Sequence, residues 1–338
     1  MKQYRIIVAG CGGMARKWVE YALKREDAEI AALVDISGRA ASGMAEAFSL
    51  KCPVFTDISA AIRETGANLV FDVTVPESHP QIERASFAAG CDVFGEKPMA
   101  VSMEDARAVV KAAEKSGRVY FVMQNRRYNK MIRSFRDIVQ SGVIGQPGFA
   151  CADFFLGPHF GGFRDEMKSP YLLDMAIHTF DQARFISGAD PVSVYCHEFN
   201  PPGSWYRGNA AAICIFEMSN GMVFCLRASW CAEGKPTSWE GDWRITGSRG
   251  TAIWDGSSAP WYEAVDPDAA GGFMRDVKRV EPPMTWNGRE EHDGCLDEMF
   301  AALAEKRKAE TDCTDNIKSI GMVFSALESA AKQQKISI

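Results

Sequence analysis

Short unbroken apolar runs alternate with helical periodicities through the first third of the chain. Residues 6–9, 30–34 and 69–71 are apolar throughout. A strand covered on both faces has no polar side to alternate with, so these runs predict strands of a parallel sheet. Between them, residues 14–24, 39–48 and 58–64 carry helix-like patterns. Strand and helix in turn predict βαβ units and a doubly wound parallel sheet. Helix starts are legible as well. Ser78-His79-Pro80-Gln81 offers a capping serine, a proline in the first turn and a glutamine three positions on. Ser102 precedes Glu104 and Asp105, acids placed where a helix dipole favours them. Residues 119–122 predict a sixth strand, closing a first domain at about residue 123.

The pattern then changes. Residues 131–140 predict a connecting helix, and longer alternating or aromatic-rich runs follow at 147–156, 191–199, 210–217, 222–231, 242–247 and 251–255. Asn220-Gly221 and Ser248-Arg249-Gly250 fall between runs as hairpin turns. A helix is expected over 171–186, two more over 290–306 and 312–334, and a loop over the Pro-, Gly- and Asp-rich stretch 256–285. The expected fold is α/β. A Rossmann-type doubly wound parallel sheet occupies 1–123. An α+β domain with an open, mostly antiparallel sheet occupies 124–338, its final helix packing back on the first domain. There is no internal repeat and no low-complexity segment.

Composition narrows the class. The 338 residues fit two domains of roughly 100–200 residues each. Apolar residues at 46% and charged residues at 24% are those of an ordinary globular protein. A net charge of -6 argues against nucleic acid and against an anionic membrane surface as partners. No apolar stretch approaches the ~18–20 residues of a membrane span. The opening MKQYRIIVAG enters a strand-like run directly, so no signal peptide is read and a cytoplasmic location is expected. The ten cysteines form no CxxC pair and no Cys/His set with zinc spacing. They read as reduced, packed thiols, and no metal site is expected.

Against that background the glycine-rich turn after the first strand stands out. Gly10-Cys11-Gly12-Gly13-Met14-Ala15 fits GxGxxA between a strand and a helix. Gly10 permits the tight turn, Gly12 lets a pyrophosphate approach the backbone, and Ala15 allows close helix–strand packing. The helix N-terminus offers N–H groups to the phosphates. Asp35 ends the second strand, where an acid hydrogen-bonds an adenosine ribose and repels a 2′-phosphate, so NAD is favoured. Ser37 and Arg39 could instead hold such a phosphate, which leaves NADP open; Arg39 also reads as a solvated helix residue.

Two further segments carry candidate chemistry. Gly95-Glu96-Lys97-Pro98 ends the fifth strand, on the sheet edge where ligands of open parallel sheets bind. A lysine there could reach substrate, its direction fixed by a cis or sharply turned bond to Pro98; a surface turn accounts for the same residues equally well. Asp174 and His178 stand four apart on the expected helix, so both fall on one face. A carboxylate beside an imidazole orients it for proton transfer, although a structural hydrogen-bonded pair fits the same spacing. His79 lies in a βα loop where it could touch cofactor, and His159 in a Gly/Phe-rich loop that could border substrate. His197 and His292 read as structural, and Trp230 and Trp243 as core. Trp239 reads as core or as an aromatic wall for a sugar ring.

Taken together these segments resemble the glucose-fructose oxidoreductase / inositol dehydrogenase / MocA family over nearly the whole length. RIIVAGCGGMA looks like the family's opening strand and dinucleotide loop, GEKPMA its EKP signature, and YLLDMAIHTFD its DxxxH helix. FDVTVPESH resembles the segment that passes Thr74 and Pro76 near the nicotinamide. QNRRYN resembles the link into the second domain, with Asn125 and Arg126 close to cofactor and substrate, and WRITGSRGT the late strand–turn–strand. The stretch after Asp35 is shorter and richer in Ser and Gly than the family pattern, which bears on cofactor choice.

The resemblance implies an NAD(P)-dependent oxidoreductase acting on a hydroxyl-bearing carbon of a sugar, cyclitol or similar polyol. It implies Lys97, Asp174 and His178 as catalytic residues, and Glu96 beside the cofactor. It also implies a homodimer or homotetramer formed through the C-terminal sheet. That reading requires positions 97 and 174–178 to meet beside the nicotinamide. Two rivals share the scaffold: a glycosidase or lyase that oxidises its sugar transiently, and a non-catalytic, NAD-responsive regulator.

Overall fold

The computed structural model describes residues 2–266, 268 and 271–338, and they divide into two compact units. The first is Met1–Gln124 with His292–Ile317, the second Asn125–Glu291 with Lys318–Ile338.

In the first unit, strands β1 (Tyr4–Ala9), β2 (Ala28–Val34), β3 (Val54–Phe55), β4 (Leu69–Asp72), β5 (Asp92–Gly95) and β6 (Tyr120–Val122) alternate with helices α1 (Ala15–Leu23), α2 (Gly38–Ala47), α3 (Ile58–Thr65), α4 (His79–Ala88) and α5 (Met103–Ser116). The strands are parallel, in the order β3-β2-β1-β4-β5-β6. This is the doubly wound order, and its switch point lies between β1 and β4. Ile6, Ile7, Val8 and Ala9 are wholly buried, as an unbroken apolar run requires. α1 buries Ala15, Trp18, Val19 and Ala22, a stripe with helical spacing against the sheet. The two-residue β3 is too short to show in the sequence pattern. Ser102 caps α5 as expected, its side chain accepting the Asp105 N–H. Ser78 precedes α4 but makes no capping bond.

A single cut at residue 123 does not describe the division. Most of α8 (Glu291–Ala304), expected in the C-terminal domain, belongs to the first unit. Phe300 on α8 explains why, packing edge-on against Tyr4 and Phe94 with ring centroids 5.1 and 5.2 Å apart. α9 (Cys313–Lys332) begins in the first unit and continues in the second.

The second unit is built on α6 (Lys130–Gln140), β7 (Pro147–Phe155), α7 (Ala176–Ser187), β8 (Pro191–Phe199), β9 (Ala211–Met218), β10 (Val223–Ser229), β11 (Asp242–Gly247), β12 (Gly250–Trp254), β13 (Trp261–Val265), β14 (Val277–Val280) and the terminal β15 (Ile336–Ser337). Its sheet runs β14-β13-β12-β11-β7-β10-β9-β8-β15, antiparallel except where β10 lies parallel to β7. β9 alternates buried and exposed positions along most of its length, so one face meets the core and the other stands outward. Trp230 and Trp243 are core residues, as read from sequence.

The stretch 256–285, expected as loop, contributes β13 and β14. β14 reads Val-Lys-Arg-Val with all four residues exposed, so it shows no core-facing alternation. Pro267, Ala269 and Ala270 of that stretch lie outside the described residues. The expected helix over 171–186 is two pieces, a π turn at Tyr171–Met175 running into α7. Arg127 anchors this region. Its guanidinium donates to both carboxylate oxygens of Asp181 at 2.7 and 2.6 Å, and Ser319 of α9 donates to the same carboxylate at 2.7 Å.

Candidate active site

The glycine loop of the first unit divides its glycines by task. Gly10 has φ +85°, and a Cβ there would lie 2.4 Å from the Val73 carbonyl oxygen, so only glycine fits. At Gly12 and Gly13 a Cβ would meet nothing within 4 Å. These two therefore leave open space over the loop, not a tight packing contact. No side chain caps the start of α1, which follows Met14 and opens with the fully buried Ala15. The loop thus presents uncapped helix N–H groups and a positive dipole end beside that open backbone.

Asp35, at the end of β2, fastens this loop. One carboxylate oxygen accepts the Cys11 N–H at 2.8 Å and the other the Ser37 N–H at 2.8 Å. Each oxygen keeps a further lone pair for an incoming hydroxyl. Ser37 Oγ accepts the Ala40 N–H at 3.3 Å and caps α2, which leaves its O–H as a donor. Arg39 is exposed. Sequence reading passed over Ile36, which is 97% exposed directly after Asp35. With the exposed Met14 and Val75 it places three apolar side chains along the carboxyl edge of the sheet. Apolar groups held in water beside an open glycine loop suit the flat faces of a dinucleotide.

The turn after β4 corrects one expectation. His79 is fully buried at the first position of α4, not free in a loop to touch cofactor. Its Nδ1 lies 3.0 Å from Asp72 Oδ2. Thr74 donates its hydroxyl to the other Asp72 oxygen at 2.6 Å and its N–H to the same atom at 3.1 Å. His79 therefore supports Thr74 through Asp72. Glu83, one turn along α4, is equally buried. Burial first, and the Asp72 charge second, push its carboxyl well above the usual range, which favours the protonated acid.

β5 ends at Gly95, where a Cβ would press on the Tyr120 ring at 3.0 Å. The Glu96 N–H donates to the Asp72 carbonyl at 2.8 Å, which carries the sheet pattern one residue further. The Glu96 side chain is buried and accepts the Trp18 indole N–H at 2.9 Å. Lys97 follows, half-buried, and its peptide bond to Pro98 is cis.

In the second unit, Asn125 and Arg126 lie on a short 3-10 turn, Asn125–Arg127. Arg126 donates to the Trp239 carbonyl, and its guanidinium sits 3.6 Å from Glu240 and 3.8 Å from the Met175 sulfur. Glu240 in turn accepts from Gln182. Asp174, beside Met175, accepts from Arg164 Nε at 2.8 Å. Arg164 lies over the Phe160 and Phe163 rings at 5.0 and 4.7 Å. Phe160 and Trp239 both pack on Trp230, at 5.8 Å each. Arg126, Asp174 and Trp239 are thus joined in one connected wall, with Trp239 half exposed. His178 is buried on α7 just past the π turn. His159 stands apart in solvent, stacked on Trp205 at 3.7 Å with Nε2 2.8 Å from Glu233. Arg164, Phe160 and Glu240 carry no local motif; Phe160 and Glu240 join the wall through Trp230 and Arg126, far away in sequence, and Arg164 through Asp174, ten residues on.

A doubly wound dinucleotide domain joined to an open, mostly antiparallel sheet, with a lysine at the carboxyl end of β5, defines a class: the two-domain nicotinamide-dependent oxidoreductases. Comparison with known proteins agrees. Residues 4–124 match the family model "Oxidoreductase family, NAD-binding Rossmann fold", and residues 132–253 match the GFO/IDH/MocA C-terminal domain. The chain belongs to the Gfo/Idh/MocA family of oxidoreductases, and its first unit is the NAD-binding domain. It is 25% identical to D-apiose dehydrogenase of Rhizobium rhizogenes across 100% of this chain and 98% of that one. It is 30% identical to 1,5-anhydro-D-fructose reductase of Ensifer adhaerens across 54% of this chain and 56% of that one. An oxidoreductase from Agrobacterium radiobacter, solved with NAD+, L-tartaric acid and magnesium, shares the fold with a TM-score of 0.85. Their identity is 22%, and the match covers 99% of this chain and 98% of that one. None of the described helices is long and apolar enough to cross a membrane.

Proposed function

We propose that the protein is an NAD-dependent dehydrogenase that oxidises a hydroxyl-bearing carbon of a sugar, cyclitol or similar polyol. The observation that carries this reading is the position of Lys97. It leaves the carboxyl end of β5 on the same sheet edge as the open Gly12-Gly13 loop. Gly10, Gly12, Gly13, Met14 and Ala15 would hold the pyrophosphate, and Asp35 the adenosine ribose. Thr74, Pro76, Glu96, Lys97 and Asn125 would border the nicotinamide half. When bound, NAD supplies the hydride-accepting ring.

The chain's own groups handle substrate and proton. His178 takes the hydroxyl proton, and Asp174, steadied by Arg164, orients it and holds a neighbouring hydroxyl. The Lys97 ammonium polarises the reacting oxygen. Arg126 and Trp239 bind the rest of the polyol, Trp239 offering its half-exposed face to the ring; His159, apart from that wall, has no part in it. The Asp35 carboxylate would repel a 2′-phosphate, which favours NAD over NADP.

A thermal-shift screen of NAD+ and NADP+, each with a panel of aldoses and cyclitols, tests cofactor and substrate class together, because ligands of the folded state raise its melting temperature. It is followed by turnover read as NADH at 340 nm. Net NADH from a free polyol supports the dehydrogenase. Glycoside cleavage without net NADH would replace it with the transient-oxidation enzyme.

We also propose self-association through the outward face of the second sheet. Phe149, Tyr195, Phe199, Ile213 and Ile215 stand exposed there on β7, β8 and β9. Such an apolar face on neighbouring strands suits a second copy. Ile213→Glu should shift the mass seen by light scattering toward monomer; an unchanged mass would refute the assignment.

A further inference from the structure

We propose that His292 is a positioning residue for Lys97, acting through Glu96. This rests on the reading above, in which Lys97 polarises the reacting oxygen.

The geometry begins with a buried carboxylate that must be satisfied from several sides. Glu96 Oε1 accepts from Trp18 Nε1 at 2.9 Å and lies 3.7 Å from His292 Nε2. Oε2 faces the Lys97 N–H at 3.3 Å. The backbone N–H of Glu96 is tied to the Asp72 carbonyl. The side chain is therefore held by α1 on one side, by the first turn of α8 on another, and by the very peptide that carries Lys97. Trp18 and the Lys97 N–H are neutral donors. His292 brings a ring nitrogen to the same carboxylate oxygen as Trp18, from α8, a side-chain partner that Gln can imitate and the shorter Asn cannot.

Electrostatics point the same way. Burial works against ionisation of Glu96, and His292 leads the groups that overcome it, followed by Trp18 and Lys97. The net effect holds the carboxyl below its usual range. Without His292 the carboxylate would keep the Trp18 indole, the peptide N–H and the Lys97 charge, but lose the partner that does most to offset burial. It would then protonate or turn away, and the segment 96–97 would lose its anchor on α8. Misplacement of a reacting group by ~1 Å can cost on the order of 100-fold in rate, so a modest relaxation is enough to register. The packing of Phe300, one face of α8 further along, keeps this helix against the parallel sheet and so fixes where His292 stands.

The test uses the full chain and the polyol giving the fastest NADH formation in the screen above. His292→Ala should lower kcat by about tenfold or more, with KM and the NAD+ dissociation constant within about twofold. His292→Gln, which keeps a donor for Glu96, should recover most of the rate; the shorter His292→Asn should not. In a Lys97→Ala background, His292→Ala should cost nothing further, because the group it positions is gone.

Full turnover by His292→Ala overturns the proposal. So does an equal loss in both backgrounds, or a failed rescue by a His292→Gln protein of normal melting temperature. If His292→Ala does not fold, the Gln and Asn variants decide alone: equal rates for the two refute it. Near-normal turnover by Lys97→Ala itself would sink the reading of Lys97, and this proposal with it. An inert His292 leaves that reading intact. No turnover on any polyol removes both.

Discussion

The two units carry their candidate chemistry in opposite ways. In the first, the cofactor elements are backbone: a turn that only glycine can make, open space above Gly12 and Gly13, and an uncapped helix start. In the second, they are side chains locked into one another, Arg126 with Glu240 and the Trp239 carbonyl, Asp174 with Arg164, Arg164 over two phenylalanines. A backbone cradle serves any ligand with the right phosphates, which suits a cofactor shared by many enzymes. A wall of interlocked side chains can be re-specified by changing a few residues, which suits a substrate pocket.

The contrast can be broken at its strongest point first. Gly10→Ala should cost several kcal/mol or abolish folding, because it combines positive φ with a clash against the Val73 carbonyl. Gly12→Ala should leave the melting temperature unchanged while weakening NAD+ binding by roughly 10- to 100-fold, as its Cβ occupies ligand space. Equal effects of the two would show that the glycines do not divide their tasks.

Next in size is Arg127→Met, which strands the buried Asp181 carboxylate and should cost about 3–5 kcal/mol by denaturant titration. The NAD+ affinity of the folded fraction should stay unchanged; a large fall in that affinity would mean that the division of labour between the units is misdrawn. Trp239→Ala should raise KM for the polyol by about tenfold without moving NAD+ affinity, a loss on the order of 1.4 kcal/mol. A normal KM would take Trp239 out of the pocket.

The smallest expected effect concerns Glu83. Its carboxyl is raised, so the folded chain binds this proton more tightly than the unfolded chain does. Stability from this group is complete below the ordinary glutamate range and declines as pH rises from that range toward the folded value. Glu83→Gln mimics the protonated acid and should melt a few degrees above the parent at pH 8, with little difference at pH 5. A variant less stable than the parent at pH 8 would mean that Glu83 is ionised in the fold.

The same contrast explains what the sequence disclosed. The glycine turn, Asp35 and the Glu96-Lys97-Pro98 corner are local strings bound to a strand end, so periodicity and spacing locate them. His79 was misjudged because its burial depends on Asp72 and α4 closing over it. Asp174 and His178 read as one helix, yet Asp174 falls in the π turn and His178 in α7, a change with no signature in residue spacing. Glu240 stands more than 100 residues from its partner Arg126, and Arg164, only ten residues before Asp174, sits in a loop with no periodicity to bring the two together. β14 reads as loop because a short, charged edge strand has no apolar face to announce it, and β13, half-buried at every position, shows no core-facing alternation either. The start of α8 read as ordinary structure, and only the fold shows that it reaches Glu96.

The central claim is that the first unit holds the dinucleotide while His178 of the second handles the proton. It is tested most directly by His178→Asn, titrated with NAD+ and assayed at 340 nm on the same preparation. The account predicts NAD+ affinity within about twofold of the parent and turnover lower by about 100-fold or more, the scale of a lost general base. Turnover close to the parent's, with NAD+ binding intact, would contradict it.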